Sequence, residues 1–212
     1  MLQLFEGSFR KFNAKNPLDT DAAFRMTYTG GYTLGANGFQ PNGTTGYANT
    51  HYIPSANITL NSETIAIYST TNNVPTPADS IDIGCYLSGT QSSYLSLKNT
   101  GTKNQLSARL NATNNVVTNA NSQGFYLATK NGSTTQKTFK NGAVVATATS
   151  AGTLPTIKSY LGTLNINNTP YANGWCNQNY ALALLGSGLS DTEVANLYTV
   201  VQAYMTARGI NV

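Results

Sequence analysis

Along most of this chain, apolar and polar residues alternate one by one. In AFRMTYT, Phe24, Met26 and Tyr28 fall on one side and Arg25, Thr27 and Thr29 on the other. A period of two is that of a half-buried strand. The alternation returns in ETIAIYS (63–69), IDIGCYLS (81–88), SYLSLK (93–98), QLSARL (105–110), GFYLATK (124–130), AVVATAT (143–149), TIKSYLGTL (156–164) and NYALALLG (179–186). Turn clusters separate these runs: TGGYTLGANGFQPNG, TTNNVPTPADS, NATNN, KNGSTT and NNTPYANG. Strands at such short intervals, with no helical period between them, predict an all-β antiparallel β-sandwich rather than β-α-β units. Asn141-Gly142 within TFKNGAVV predicts a hairpin, since both residues tolerate the positive φ of a tight turn. KNGST at 130–134 predicts another. Residues 1–22 read as an irregular N-terminal segment with a turn at Asn16-Pro17. No repeat and no long linker interrupts the pattern, so 1–212 is expected to be a single domain.

The period changes once. In LSDTEVANLYTVVQAYMTARG, Val194, Leu197, Tyr198, Val201, Tyr204 and Met205 form an apolar stripe at helical spacing. Ser190 suits the N-cap and Glu193 completes a capping box. Asp191 places negative charge where the helix dipole favours it. Arg208 lies in the last turn and Gly209 stands where a C-cap belongs. The expectation is an amphipathic helix over 190–208, laid against the sandwich or a neighbouring subunit.

Composition sharpens this picture. Of 212 residues only 9% are charged, while Asn numbers 26, Thr 30 and Gly 19. An ordinary domain has about a quarter of its residues charged. Apolar residues still make up 40%, enough for a core. The net charge of +4 reflects scarce acids, and the 12 Lys and Arg are scattered apart from Arg10, Lys11 and Lys15. A nucleic-acid binder shows a basic stripe, so none is expected here. Cys85 alternates with Ile81, Ile83 and Leu87 and reads as a small core residue, while Cys176 lies in a polar loop. Two free thiols are expected, with a bridge between them the alternative. MLQLFEGSF lacks the apolar run and cleavage site of a signal peptide. No stretch approaches 18 apolar residues, so no membrane insertion is expected.

The order of TFKNGAVV, SYLGTLN, NYALALLGSG and GLSDTEVANLY resembles the concanavalin A-like lectin/glucanase superfamily, the LamG-like jelly rolls, over roughly 124–209. That resemblance implies a concanavalin A-like jelly roll whose last core strand leads into a closing helix. DTDAAFRMTYTGGYTLGANGFQPNGTTGYANT, with the final LYTVVQAYMTARGINV, is similar to tail and structural proteins of Bacteroidetes-type phages. It implies a virion structural protein of a bacteriophage, assembled in the host cytoplasm and released with the particle. Its partners would be other virion proteins and further copies of itself, with host-surface polysaccharide as ligand. The alternatives are a cell-surface adhesin or carbohydrate-binding module and a divergent polysaccharide hydrolase.

Hydrolysis of glycans takes two carboxylates across the scissile bond. Hydrolases of the superfamily carry E-x-D-x-x-E along one strand, and Glu6, Glu63 and Glu193 do not supply it. Asp79 and Asp82 are the closest pair, but their spacing puts them on opposite faces of a strand. His51 has no nucleophile near it in sequence and reads as a packing or surface residue. No catalytic residues and no enzyme activity are therefore expected. No cofactor is expected either; Asp19 and Asp21 have a D-x-D spacing that suits Ca²⁺ but lack further acids to complete a shell. Glycan binding needs a ring beside amides. The stretch 165–180 offers Tyr171, Trp175 and Asn177, with the Asn173-Gly174 step between the rings, and 30–47 offers Tyr32 and Phe39.

Overall fold

A computed structural model describes residues 25–77, 79–99 and 103–212, and residues 2–4 in their backbone. Among the described residues the strands are β1 (Leu2–Leu4), β2 (Thr27–Thr29), β3 (Tyr32–Gly35), β4 (Gly38–Pro41), β5 (Tyr47–Asn49), β6 (Ser62–Ser69), β7 (Ile83–Ser88), β8 (Gln91–Asn99) and β9 (Gln105–Asn111). They continue with β10 (Asn114–Thr118), β11 (Gly124–Asn131), β12 (Thr135–Lys140), β13 (Ala143–Thr149), β14 (Tyr160–Leu161), β15 (Asn165–Ile166), β16 (Thr169–Pro170) and β17 (Tyr180–Gly186). A short helix α1 (Pro54–Asn57) follows β5, and α2 (Asp191–Ala207) follows β17.

The strands form two facing sheets. The first runs β13-β12-β11-β6-β17-β4-β3, with β1 also on β17. The second runs β10-β9-β8-β7-β14-β5-β2, with β15 beside β7 and β16 beside β15. Only β15 on β7 pairs in parallel among the described strands. Between the sheets Ile65, Ile67, Tyr126, Ala128 and Leu185 meet Ile83, Leu95, Leu97, Leu106, Ala108 and Leu110. These are the alternate residues of the predicted runs. The Asn141-Gly142 hairpin forms with φ of 50° and 79°, as a tight two-residue turn requires.

Helix α2 lies on the outer face of the first sheet. Val194, Val201 and Met205 are buried there against Ala66, Tyr68, Phe125, Leu127 and Leu182. The Ser190 backbone N–H donates to Glu193 Oε2 at 2.8 Å, and Glu193 N–H donates to Ser190 Oγ at 3.3 Å. Gly209 turns left-handed with φ +67°. The Arg208 guanidinium donates to Ala36 O in the β3–β4 turn, which ties the helix end to that hairpin. The stripe is thus spent on the sandwich, not held out to a neighbouring subunit.

Four expectations need correcting. Residues 2–4, expected to be irregular, pair with Leu182–Leu184 of β17, whose edge is open because β4 meets it only at Tyr180. The run 156–164 shrinks to Tyr160–Leu161, because Gly162 takes φ +94° and turns the chain. NATNN is not all turn: β10 begins at Asn114 and buries Asn115. The glycine-rich stretch at 30–41 is a hairpin, β3 on β4, closed by a two-residue turn. The Asp19–Asp21 pair and the Arg10, Lys11 and Lys15 group lie outside the described residues.

The interior also holds charge. Glu63 and Lys130 stand opposite each other on β6 and β11, both almost wholly buried. Asn111 joins them: its Nδ2 donates to Glu63 Oε2 at 3.2 Å and its Oδ1 accepts from Lys130 Nζ at 3.0 Å. Burial pushes the Glu63 carboxyl up to about 7, against the hydrogen bond from Ser93 and the nearby Lys130 charge.

Candidate functional site

With α2 on the first sheet, the outer face of the second lies on the other side of the sandwich; there Ser92, Tyr94, Ser96 and Ser107 are buried, Tyr86 and Arg109 half-buried and Asn114 exposed. On β7, β8 and β9 the residues between core positions point outward: Tyr86, Tyr94 and Arg109. Register lines them up. Gly84 pairs with Tyr94, Tyr94 with Arg109, and Arg109 with Asn114. Strands about 4.8 Å apart make this row about 15 Å long. Gly84 is required here, since it has φ +148° and a Cβ would sit 2.4 Å from Tyr94 Cβ. Without that Cβ, Tyr94 closes down over the neighbouring strand.

One wall comes from the connection after β14. Leu164, Ile166 and Tyr171 join Ile81, Tyr86 and Tyr94 in an apolar cluster. Together with the row they bound a cleft of about 380 Å³, within the size range of small-ligand sites. Its polar groups converge from three sides. Tyr171 Oη donates to Asp79 Oδ2 at 3.2 Å. Ser107 Oγ donates to Asn114 Oδ1 at 2.6 Å. Arg109 donates from Nη2 to Gly89 O at 2.5 Å and lies 5.8 Å from the Tyr86 ring centre. Its Nε is buried with no acceptor among the described residues, so the fork keeps donor capacity that they do not use. The cleft therefore combines rings, a guanidinium, two amides and one carboxylate.

Asp82 faces the other way from Asp79, though neither lies on a strand, since β7 begins at Ile83. It is buried, accepting from Tyr180 Oη and from the Leu97 N–H, each at 2.6 Å. Burial pushes its carboxyl up to about 6 against those hydrogen bonds. Cys85 and Cys176 are both free and buried; burial pushes the Cys85 thiol up to about 12. His51 Nε2 lies 2.8 Å from Thr27 Oγ1, and burial and Lys158 hold its pKa low. No group of three or more His, Cys, Asp and Glu suited to a metal occurs among the described residues. No helix among them is long and apolar enough to cross a membrane.

The sequence candidates divide between places. Tyr171 lines the sheet cleft. The Gly174 carbonyl accepts from Ile81 N–H at 3.0 Å, tying its loop to the cleft wall. Trp175 is half-buried, 6.3 Å from Tyr47, which stacks on Tyr160 at 4.8 Å. Tyr32 and Asn177 line a separate cleft at the edge of the first sheet. Phe39 is a correction: it is wholly buried and stacked on Tyr180, a core ring with no face to offer a sugar. Its place follows from β4 lying against β17. Tyr86, Tyr94 and Arg109 were missed. Each sits on the polar side of a predicted strand, but only register makes them neighbours.

No protein-family model matches the chain, and no curated protein matches it. Solved structures do. Domain 4 of AbnA, a GH43 extracellular arabinanase from Geobacillus stearothermophilus, solved in complex with arabinotriose, is similar at a TM-score of 0.55 and 14% identity, over 85% of this chain and 91% of that one. The Trypanosoma rangeli sialidase, in complex with the inhibitor DANA, is similar at 0.55 and 18% identity, over 80% of this chain and 28% of that one. The NanB sialidase from Streptococcus pneumoniae, as its K499G mutant, is similar at 0.50 and 13%, over 79% and 27%. The chain thus spans little more than a quarter of either sialidase. At these identities what is shared is the fold, an almost wholly antiparallel β-sandwich of two facing sheets closed by a C-terminal helix.

Proposed function

We propose that the domain is a non-catalytic carbohydrate-binding module that holds a glycan in the cleft on the outer face of the second sheet. The observation that carries this reading is the aligned row of Tyr94, Arg109 and Asn114 beside Tyr86 and Tyr171. Sugars offer apolar ring faces and many hydroxyls, and such a surface meets both: rings pack on the former while amide and guanidinium groups orient the latter. The similar arabinanase domain, solved with arabinotriose, supports the reading. So does the carboxylate inventory. Asp79 is the one carboxylate lining the cleft among the described residues, and hydrolysis takes two.

The setting we propose is a bacteriophage virion, with the domain in a tail, spike, fibre or capsid-decorating protein that meets host-surface glycans as a homo-oligomer. This rests on the resemblance of 19–50 and of the C-terminal helix to phage structural proteins. A module within a cell-surface or secreted protein is the second reading, favoured by the 91% coverage of an arabinanase domain.

A glycan array followed by calorimetry tests the binding. The wild-type chain is expected to retain at least one polysaccharide class. Tyr86→Ala and Arg109→Gln should each weaken it about tenfold, the usual loss when a central contact is removed, with near-ultraviolet circular dichroism unchanged. Retention of no glycan, or wild-type affinity in both variants, would overturn the proposal.

A further inference from the structure

The edge of the first sheet carries a second cleft of about 510 Å³, lined by Tyr32, Thr33, Gln40, Pro41, Asn42 and Asn177, among others. Its chemistry differs from that of the sheet cleft, because no charged side chain among the described residues lines it. Its ring is fixed in advance. Tyr32 is 40% exposed, yet its other side is held by Tyr28 at 5.3 Å and Phe39 at 5.9 Å. Phe39 is itself stacked on Tyr180 in the core. The exposed face is thus the end of an aromatic ladder rooted in the sandwich.

The loop that frames the cleft is equally fixed. Asn42 Oδ1 accepts three backbone N–H bonds, from Thr44 at 3.1 Å and from Thr45 and Gly46 at 2.9 Å each. Asn42 N–H donates to Gly31 O at 2.9 Å. A Cβ at Gly46 would lie 1.9 Å from Gly31 O, so the two strands of the loop touch backbone to backbone. On the opposite wall the Asn177 carbonyl accepts from Gln40 Nε2 at 3.3 Å and Asn73 Nδ2 at 2.6 Å. Its side-chain Oδ1 is buried with no donor among the described residues. Surface loops are ordinarily the mobile part of a domain. Here a rigid ring and neutral amides are held around one opening, an arrangement that spares a ligand the cost of ordering its site.

We propose that this edge cleft is a second saccharide site, selective for neutral sugar residues, which makes the domain bivalent. The ring of Tyr32 is the platform and the Gln40 amide meets the hydroxyls, while Asn42 is spent on holding the loop. The inference rests on the carbohydrate-binding reading but uses none of the residues of the sheet cleft.

Calorimetric titration with neutral trisaccharides (arabinotriose, xylotriose, galactotriose and maltotriose) tests it, using the full chain. A trisaccharide bound by the wild type should show two sites. Tyr32→Ala should leave one and Tyr86→Ala the other. Gln40→Glu, nearly isosteric, should weaken the edge site about tenfold without removing a ring. One site in the wild type, lost in Tyr86→Ala and untouched by Tyr32→Ala and Gln40→Glu, would overturn the second site and leave the first standing. One site lost only in Tyr32→Ala would uphold the edge cleft and overturn the sheet-face reading. Failure of the wild type to bind any of the four would overturn the edge site for neutral sugars, while the array decides the sheet cleft.

Discussion

Gly84 is where a single hydrogen in place of a methyl decides the shape of the cleft. Gly84→Ala forces a Cβ into Tyr94 at a backbone φ of +148°. We expect a loss of about 2 kcal/mol or more in urea unfolding, with weaker glycan binding as Tyr94 moves. Two buried carboxyls set a second expectation. Glu63 is pushed up from 4.5 to about 7 and Asp82 from 3.8 to about 6. Between those values the native chain holds protons that the unfolded chain has released, so stability falls as pH rises, starting near pH 4 and levelling off above about pH 7. Each tenfold gain in proton affinity on folding is worth ~1.4 kcal/mol. Urea midpoints should therefore be higher at pH 5 than at pH 8, with Glu63→Gln and Asp82→Asn each flattening the slope. An unchanged slope in both variants would dismiss this account. The sequence showed the roles of Cys85 and Glu193, whose neighbours in the chain explain them. It hid Glu63, which opens a strand where a glutamate is ordinarily wet, because the partners that bury it stand far along the chain at Asn111 and Lys130.

At the scale of elements, α2 was the most legible, since its cap, stripe and stop are all local signals. Ser190→Ala removes the cap acceptor and should cost ~1 kcal/mol. Met205→Ala empties a wholly buried position and should cost about 2–5 kcal/mol; both are read from denaturant unfolding. The long central strands were legible for a similar reason, as each buries every second residue. Edge elements were not. Asn114–Thr118 hides among asparagines that usually turn, and β3 and β4 hide among glycines. Their pairing is stabilised by contact with Phe39 and Tyr180 rather than by their own propensity.

For the whole molecule, the sandwich and its closing helix could be read from periodicity, whereas the cleft could not. The row from Gly84 to Asn114 exists only once β7, β8, β9 and β10 are set in register, and register is a property of the assembled sheet. The virion setting makes its own prediction at this scale. Size-exclusion chromatography with light scattering should show a closed homo-oligomer, since most such assemblies are symmetric; a monodisperse monomer at high concentration would count against it. One further consequence lies at the far end of the chain. The Val212 backbone N–H donates to Tyr68 Oη at 2.9 Å, on the helix side of the first sheet. Val212 and the outer face of the second sheet therefore look in opposite directions. A sensor chip loaded through a biotin attached beside residue 212 would array the molecules like lenses on a stage, mounted by their backs, with every sheet cleft turned toward the flowing sample.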